Sequence, residues 1–101
     1  MSLNILDVLY NVIRDRRLNP IPNSYTVQLF KGGIDLITRK IGEEAVEVII
    51  AGKNGDKTNV VNEVADLVYH LMVLLAYMDI PLEEVLRELE RRRKEGKGGH
   101  S

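Results

Sequence analysis

The chain has 101 residues, of which 45% are hydrophobic and 29% charged, and a formal net charge of -1. It is long enough for one compact domain and too short for two separate cores, and the near-neutral balance gives no overall pull toward nucleic acid, membrane or a polyanion. With no cysteine, disulfides, thiolate catalysis and cysteine-ligated zinc are excluded, and a reducing compartment fits.

In chain order, Met1 to Asn4 lack the basic segment and apolar run of a signal peptide, so a cytoplasmic location is expected. From Leu3 to Arg17, Ile5, Val8, Leu9, Val12 and Ile13 line one side of a first helix. Two prolines between Asn19 and Asn23 cannot continue it and predict a loop. Ser24 is a candidate N-cap for a short helical piece from Tyr25 to Lys31, which Gly32 and Gly33 would end. With Asp35 as its candidate cap, a longer helix follows, striped by Leu36, Ile37, Ile41, Ala45, Val48 and Ile49 and expected to end near Ala51. Gly42 inside it costs up to about 1 kcal/mol relative to alanine, and either admits a close neighbour or is simply tolerated.

Gly52 to Gly55 reads as a turn, and Asp56 as the cap of a helix from Lys57 to about Met78. Its apolar run, Leu67 to Met78, is shorter than a bilayer span and is expected to be buried. Because this segment is apolar nearly all round, it needs cover on more than one side, and so small a chain predicts a homodimer or higher oligomer. Asp79-Ile80-Pro81 breaks the helix, and Pro81 suits the first turn of a last one carrying Leu82, Val85, Leu86 and Leu89. Glu83 and Glu84 near its start and Arg91 to Lys94 near its end match the helix dipole. No aromatic residues interleave that basic run, so it reads as a solvated helix end and not as a nucleic-acid platform. The expected fold is an all-α antiparallel bundle of about four to five helices over residues 1–94, with a flexible tail at 95–101.

Five acids interrupt the two central helices: Glu43, Glu44 and Glu47, then Glu63 and Asp66. Helical spacing puts Glu44 with Glu47 on one face and Glu63 with Asp66 on another. Across the turn, Glu47 and Glu44 lie roughly 6 and 10 Å back from Ala51, and Glu63 and Asp66 roughly 10 and 15 Å beyond Asp56, so the pairs overlap in height. Facing inward, they would repel strongly and invite a divalent cation, magnesium or manganese given all-oxygen ligands. Such an ion leaves room for substrate phosphates, with a spare carboxylate to take a proton from attacking water. Lys40 and Arg39 are candidates to hold a further phosphate, as are Lys31, Lys53 and Lys57. The plain alternative is a solvated acidic face, against which stands the apolar setting of Glu63 and Asp66. His70, one turn after Asp66, is expected to be a hydrogen-bonded core residue, and Tyr69 and Tyr77 packing residues.

Ser24-Tyr25-Thr26, Lys40-Ile41-Gly42-Glu43-Glu44-Ala45-Val46-Glu47 and Glu63-Val64-Ala65-Asp66-Leu67-Val68-Tyr69-His70-Leu71 resemble the phosphoribosyl-ATP pyrophosphatases of histidine biosynthesis. The resemblance runs from about Ser24 to Leu89. The acids alone are shared with the wider all-α MazG-like nucleotide pyrophosphatases, while the Ser-Tyr-Thr segment, the Lys-x-Gly-Glu-Glu junction and the Tyr-His pair narrow it. It implies a dimeric helical bundle that depends on magnesium and hydrolyses phosphoribosyl-ATP to phosphoribosyl-AMP and pyrophosphate. It also implies that Glu44, Glu47, Glu63 and Asp66 are metal ligands and Glu43 a further ligand or the proton acceptor. Lys40 would contact phosphate, and Ser24, Tyr25 and Thr26 would border the substrate. Pro81 stands where many members have a capping serine. Many members are also fused to the cyclohydrolase of the next step, whose zinc site uses cysteines, so that activity is expected from another protein. The alternatives are a MazG-like enzyme for free nucleoside triphosphates and a non-catalytic metal-binding helical dimer. A di-iron site is disfavoured because it usually needs two Glu-x-x-His pairs.

Overall fold

The computed structural model describes residues 4–96. Four helices follow one another: α1 (Asn4–Leu18), α2 (Tyr25–Asn54), α3 (Lys57–Tyr77) and α4 (Leu82–Lys94), with no strand among the described residues. The all-α expectation holds. Two of the expected boundaries do not.

The short piece and the long helix expected to be separate form one element, α2, which bends at Gly33. Gly33 has φ 74° and ψ -166°, a conformation essentially reserved for glycine, so the chain turns there without breaking off into a loop. Because Gly33 itself supplies the non-helical residue before the second segment, the cap expected at Asp35 is not needed. Asp35 sits in that segment's first turn, where its charge suits the dipole. Helix α2 also runs past Ala51 to Asn54, since Gly55, at φ 69°, supplies the left-handed C-cap one turn later. Gly42 faces open space, with no atom within 4 Å of an added Cβ, so it answers to no close neighbour within this chain.

The caps explain the remaining ends. Ser24 accepts a hydrogen bond from the Val27 amide, and Asp56 accepts one from the Asn59 amide. Pro81 occupies the N-cap position of α4, just outside its first turn, and makes no side-chain cap bond. At the other end Glu95 and Gly96 close α4 through amide bonds to Arg91 and Arg93, and the rest of the expected tail lies outside the described residues.

The two-residue link between α2 and α3 makes them an antiparallel hairpin, against which α1 packs. The core joins Tyr10 and Ile13 of α1, Leu29 and Ile37 of α2, Met72, Val73 and Ala76 of α3, and Leu82 of α4. Leu29 lies before the Gly33 bend and Ile37 after it, so both segments of α2 are rooted in one core. Arg17 secures the C-terminal end of α3: it donates to the Ala76 carbonyl, pairs with Asp79 at 3.1 Å and lies over the Tyr77 ring. By length and composition α3 as a whole is long and apolar enough to cross a membrane, yet it supplies four buried residues to this packed bundle.

Candidate active site

The bend at Gly33 decides what meets what. Along a straight helix Tyr25 would lie about 28 Å from Glu44, nineteen residues away. Instead its hydroxyl is 2.9 Å from Nε2 of His70, one helical turn beyond Asp66, whose carboxylate lies with that of Glu44. The Tyr25–Gly32 arm is thus folded back along α3 to the level of the acids.

Of the five acids, Glu44, Glu63 and Asp66 come together, each offering an oxygen within 4.8 Å of the others. Magnesium takes oxygen ligands at about 2.0–2.1 Å, so the three carboxylates would draw closer together to share one ion. Burial pushes the Glu63 carboxyl above its ordinary value, and the negative charges of Asp66, Glu44 and Glu47 push it the same way. Glu47 therefore reaches the cluster through its charge, from the next turn of α2. Glu43 turns aside: it pairs with Lys40 at 3.1 Å and Arg39 at 3.7 Å. Lys40 is also 3.9 Å from Glu44, and its ammonium is held above the ordinary value first by the Glu43 hydrogen bond and then by Tyr25. Lys40 consequently bridges the acids and the folded-back arm.

That arm carries Ser24, Tyr25 and Thr26. The Ser24 oxygen is engaged as the helix cap. Tyr25 stacks against Tyr69 at 6.2 Å between ring centres and meets the edge of His70 at 5.8 Å. Thr26 and Tyr69 share a hydroxyl–hydroxyl bond, and burial raises the Tyr69 phenol above its ordinary value. His70 is a hydrogen-bonded core residue as expected, but Tyr69 does more than pack. Spacing in the sequence could not join these residues to the arm; the Gly32-Gly33 pair was the available signal of a bend. Lys53 and Lys57, beside the helical turn, make no ion pair among the described residues, and Lys31 makes none either. No enclosed pocket forms around the site among the described residues.

Comparisons with known proteins bear on the same stretch. Residues 6–93 match the family model described as phosphoribosyl-ATP pyrophosphohydrolase. A phosphoribosyl-ATP pyrophosphatase of Methanocella arvoryzae is 53% identical over 93 residues, covering 90% of this chain and 98% of that protein. One from Clostridium acetobutylicum is 53% identical over 88 residues, 87% of this chain and 80% of the relative. The histidine biosynthesis bifunctional protein HisIE of Caldanaerobacter subterraneus subsp. tengcongensis is 53% identical over 93 residues, 92% of this chain but 45% of that longer protein. The matched span contains every acid of the cluster and both rings that lock the arm. The chain belongs to the phosphoribosyl-ATP pyrophosphohydrolase family.

Proposed function

We infer that the chain hydrolyses phosphoribosyl-ATP between its α and β phosphates, giving phosphoribosyl-AMP and pyrophosphate, in the second step of histidine biosynthesis. The observation that carries this reading is the family match over residues 6–93, within which the acids converge. Incubation of the protein with phosphoribosyl-ATP and magnesium is expected to release pyrophosphate, and no release at micromolar enzyme would overturn it. A faster reaction with a plain nucleoside triphosphate would instead favour the wider MazG-like activity.

Glu44, Glu63 and Asp66 are the proposed metal ligands, with Glu47 joining from the next turn, and magnesium, or manganese in its place, suits the all-oxygen set. When bound, the ion supplies charge neutralisation for the phosphates. Glu43, which pairs with Lys40 beside the cluster, is the proposed acceptor of the proton as water attacks phosphorus. The water oxygen stays on the new phosphate group, and the bridging oxygen leaves with pyrophosphate. Lys40 shifts from Glu43 to a phosphate oxygen, with Arg39 further out as a second cation. Ser24, Tyr25 and Thr26 border the substrate; the Ser24 cap uses its oxygen as acceptor and leaves its proton to donate.

A homodimer or higher oligomer supplies the missing wall of the site. Val46, Ile49 and Ile50 on α2, and Val61, Val64 and Leu71 on α3, are exposed apolar residues interleaved with the acids. A second copy covering them would enclose the substrate and bury the apolar helix. Sedimentation should give twice the monomer mass or more, and a monomer with full activity would count against this. We place the enzyme in the cytoplasm, consistent with its biosynthetic class, and propose no nucleic-acid or membrane partner.

A further inference from the structure

His70 is the buried polar residue of the described chain, at 4% exposure, and the hydrolysis as set out above gives it no task. Its two ring nitrogens have different partners. Nδ1 is 2.7 Å from the backbone carbonyl of Asp66, and Nε2 is 2.9 Å from the Tyr25 hydroxyl. A carbonyl oxygen only accepts, so Nδ1 carries the proton. With Nδ1 donating, the second ring nitrogen, Nε2, is the acceptor, and the Tyr25 hydroxyl donates to it. The Tyr25 proton is committed inward. What its half-exposed ring leaves for an approaching ligand is the pair of oxygen lone pairs.

That changes what Tyr25 can recognise. A phosphate oxygen carries no proton to give and would face those lone pairs with negative charge, whereas a sugar hydroxyl donates to them. The orientation is also held by neighbouring rings. Tyr69 stacks on Tyr25, His70 meets both rings edge-on, and the Thr26–Tyr69 bond holds the adjacent residue. Through its other nitrogen the same imidazole is fastened to the turn of α3 that bears Asp66.

We propose that His70 is a positioning residue for the hydrolysis, holding the Tyr25 hydroxyl as an inward donor so that Tyr25 meets the substrate as an acceptor for a ribosyl hydroxyl, in register with the acidic cluster. This rests on the reading of the chain as a phosphoribosyl-ATP hydrolase. His70 touches no reacting atom; it acts through Tyr25.

Four variants test it: Y25F, H70N, H70Q and the Y25F/H70N double. Asparagine keeps a short donor for the Asp66 carbonyl and removes the acceptor for Tyr25, whereas glutamine keeps an acceptor at the Nε2 position. Y25F and H70N should each raise KM about 3- to 10-fold, the worth of one hydrogen bond, with kcat changed by less than about twofold. The double should be no worse than either single, because both remove the same contact. H70Q should recover most of the KM lost in H70N. An unchanged KM in H70N, additive losses in the double, or equal losses of melting temperature in H70N and H70Q without a KM effect would each overturn the proposal. Nitrogen-15 spectra of the wild type supply a readout free of substrate: Nδ1 protonated and Nε2 bare at neutral pH is expected, and the opposite tautomer would refute the lock. If the wild type releases no pyrophosphate from phosphoribosyl-ATP, the parent reading fails while the spectra still judge the hydrogen bonds.

Discussion

Two groups of residues, each shared between α2 and α3, lie one turn apart along α3 and are built on opposite terms. Around Tyr25, Thr26, Tyr69 and His70 the polar atoms find partners within the chain, and no buried side-chain polar atom among the described residues is left unpaired. Around Glu44, Glu63 and Asp66 like charges face one another, with Lys40 as the nearby cation. The first group has made most of its interactions on folding and keeps only the Tyr25 lone pairs to offer, whereas the second has unpaired charge to offer. A site that must release product benefits from that division: the satisfied half holds position, and the charged half exchanges its contents with solvent.

The largest effect is expected where the charges meet. Asp66→Asn should lower kcat/KM by about 100-fold or more, by removing one ligand charge, while leaving the His70 bond to the Asp66 carbonyl in place. Steady-state kinetics check this, and near-normal activity would remove Asp66 from the metal site. Next, magnesium at a hundred times its Kd should stabilise the fold by about 2.7 kcal/mol, at about 4–8 °C per kcal/mol in a domain this size. A melting temperature unmoved or lowered by the ion at neutral pH would mean the acids hold no ion. Gly33→Ala should cost about 1–3 kcal/mol, because the strain lies in the backbone: the nearest atom to an added Cβ, the Tyr77 hydroxyl oxygen, is at an ordinary 3.5 Å. Denaturant titration measures that cost, and a raised KM would accompany it because Tyr25 reaches its place through this bend.

The smallest effect is expected far from both groups, in α4. Arg91 and Arg92 hold the Glu88 carboxyl down at about 2. A depressed acid contributes stability that is present above its unfolded value of about 4.5 and lost as pH falls toward about 2. Glu88→Gln should therefore flatten the acid side of the stability profile slightly in that window and leave hydrolysis unchanged, as acid titration of the fold and an activity assay would show. A steeper acid limb would contradict the sign.

Much of the charged half was legible because it depends on local geometry. Glu44, Glu47, Glu63 and Asp66 could be brought to overlapping heights by counting residues along two helices joined by a short turn. Glu43 was grouped with them, since counting cannot show that Lys40 and Arg39 draw its carboxylate aside. The satisfied half was harder to see. Its pairs are 43 and 45 residues apart in sequence, and their meeting depends on one glycine's dihedral angles. Gly32-Gly33 was read as an end to a helix, and spacing has no means of telling an end from a bend. The dispensable cap at Asp35 follows from the same ambiguity, and the late end of α2 follows from Gly55, not Gly52, taking the left-handed conformation.

The Gly33 bend also bears on how the molecule breathes. A glycine at a helix junction invites comparison with the hinge of a swinging lid, but the arm before it carries Val27 at 5% exposure and Leu29 at 1%. Swinging the arm outward would draw both side chains into water, at about 1.5–3 kcal/mol each, and would break the two hydroxyl bonds to α3. Amide protons of the arm from Gln28 to Lys31 should therefore exchange with deuterium at rates close to those of the α3 core around Val73, and far more slowly than those beside the Gly55 turn.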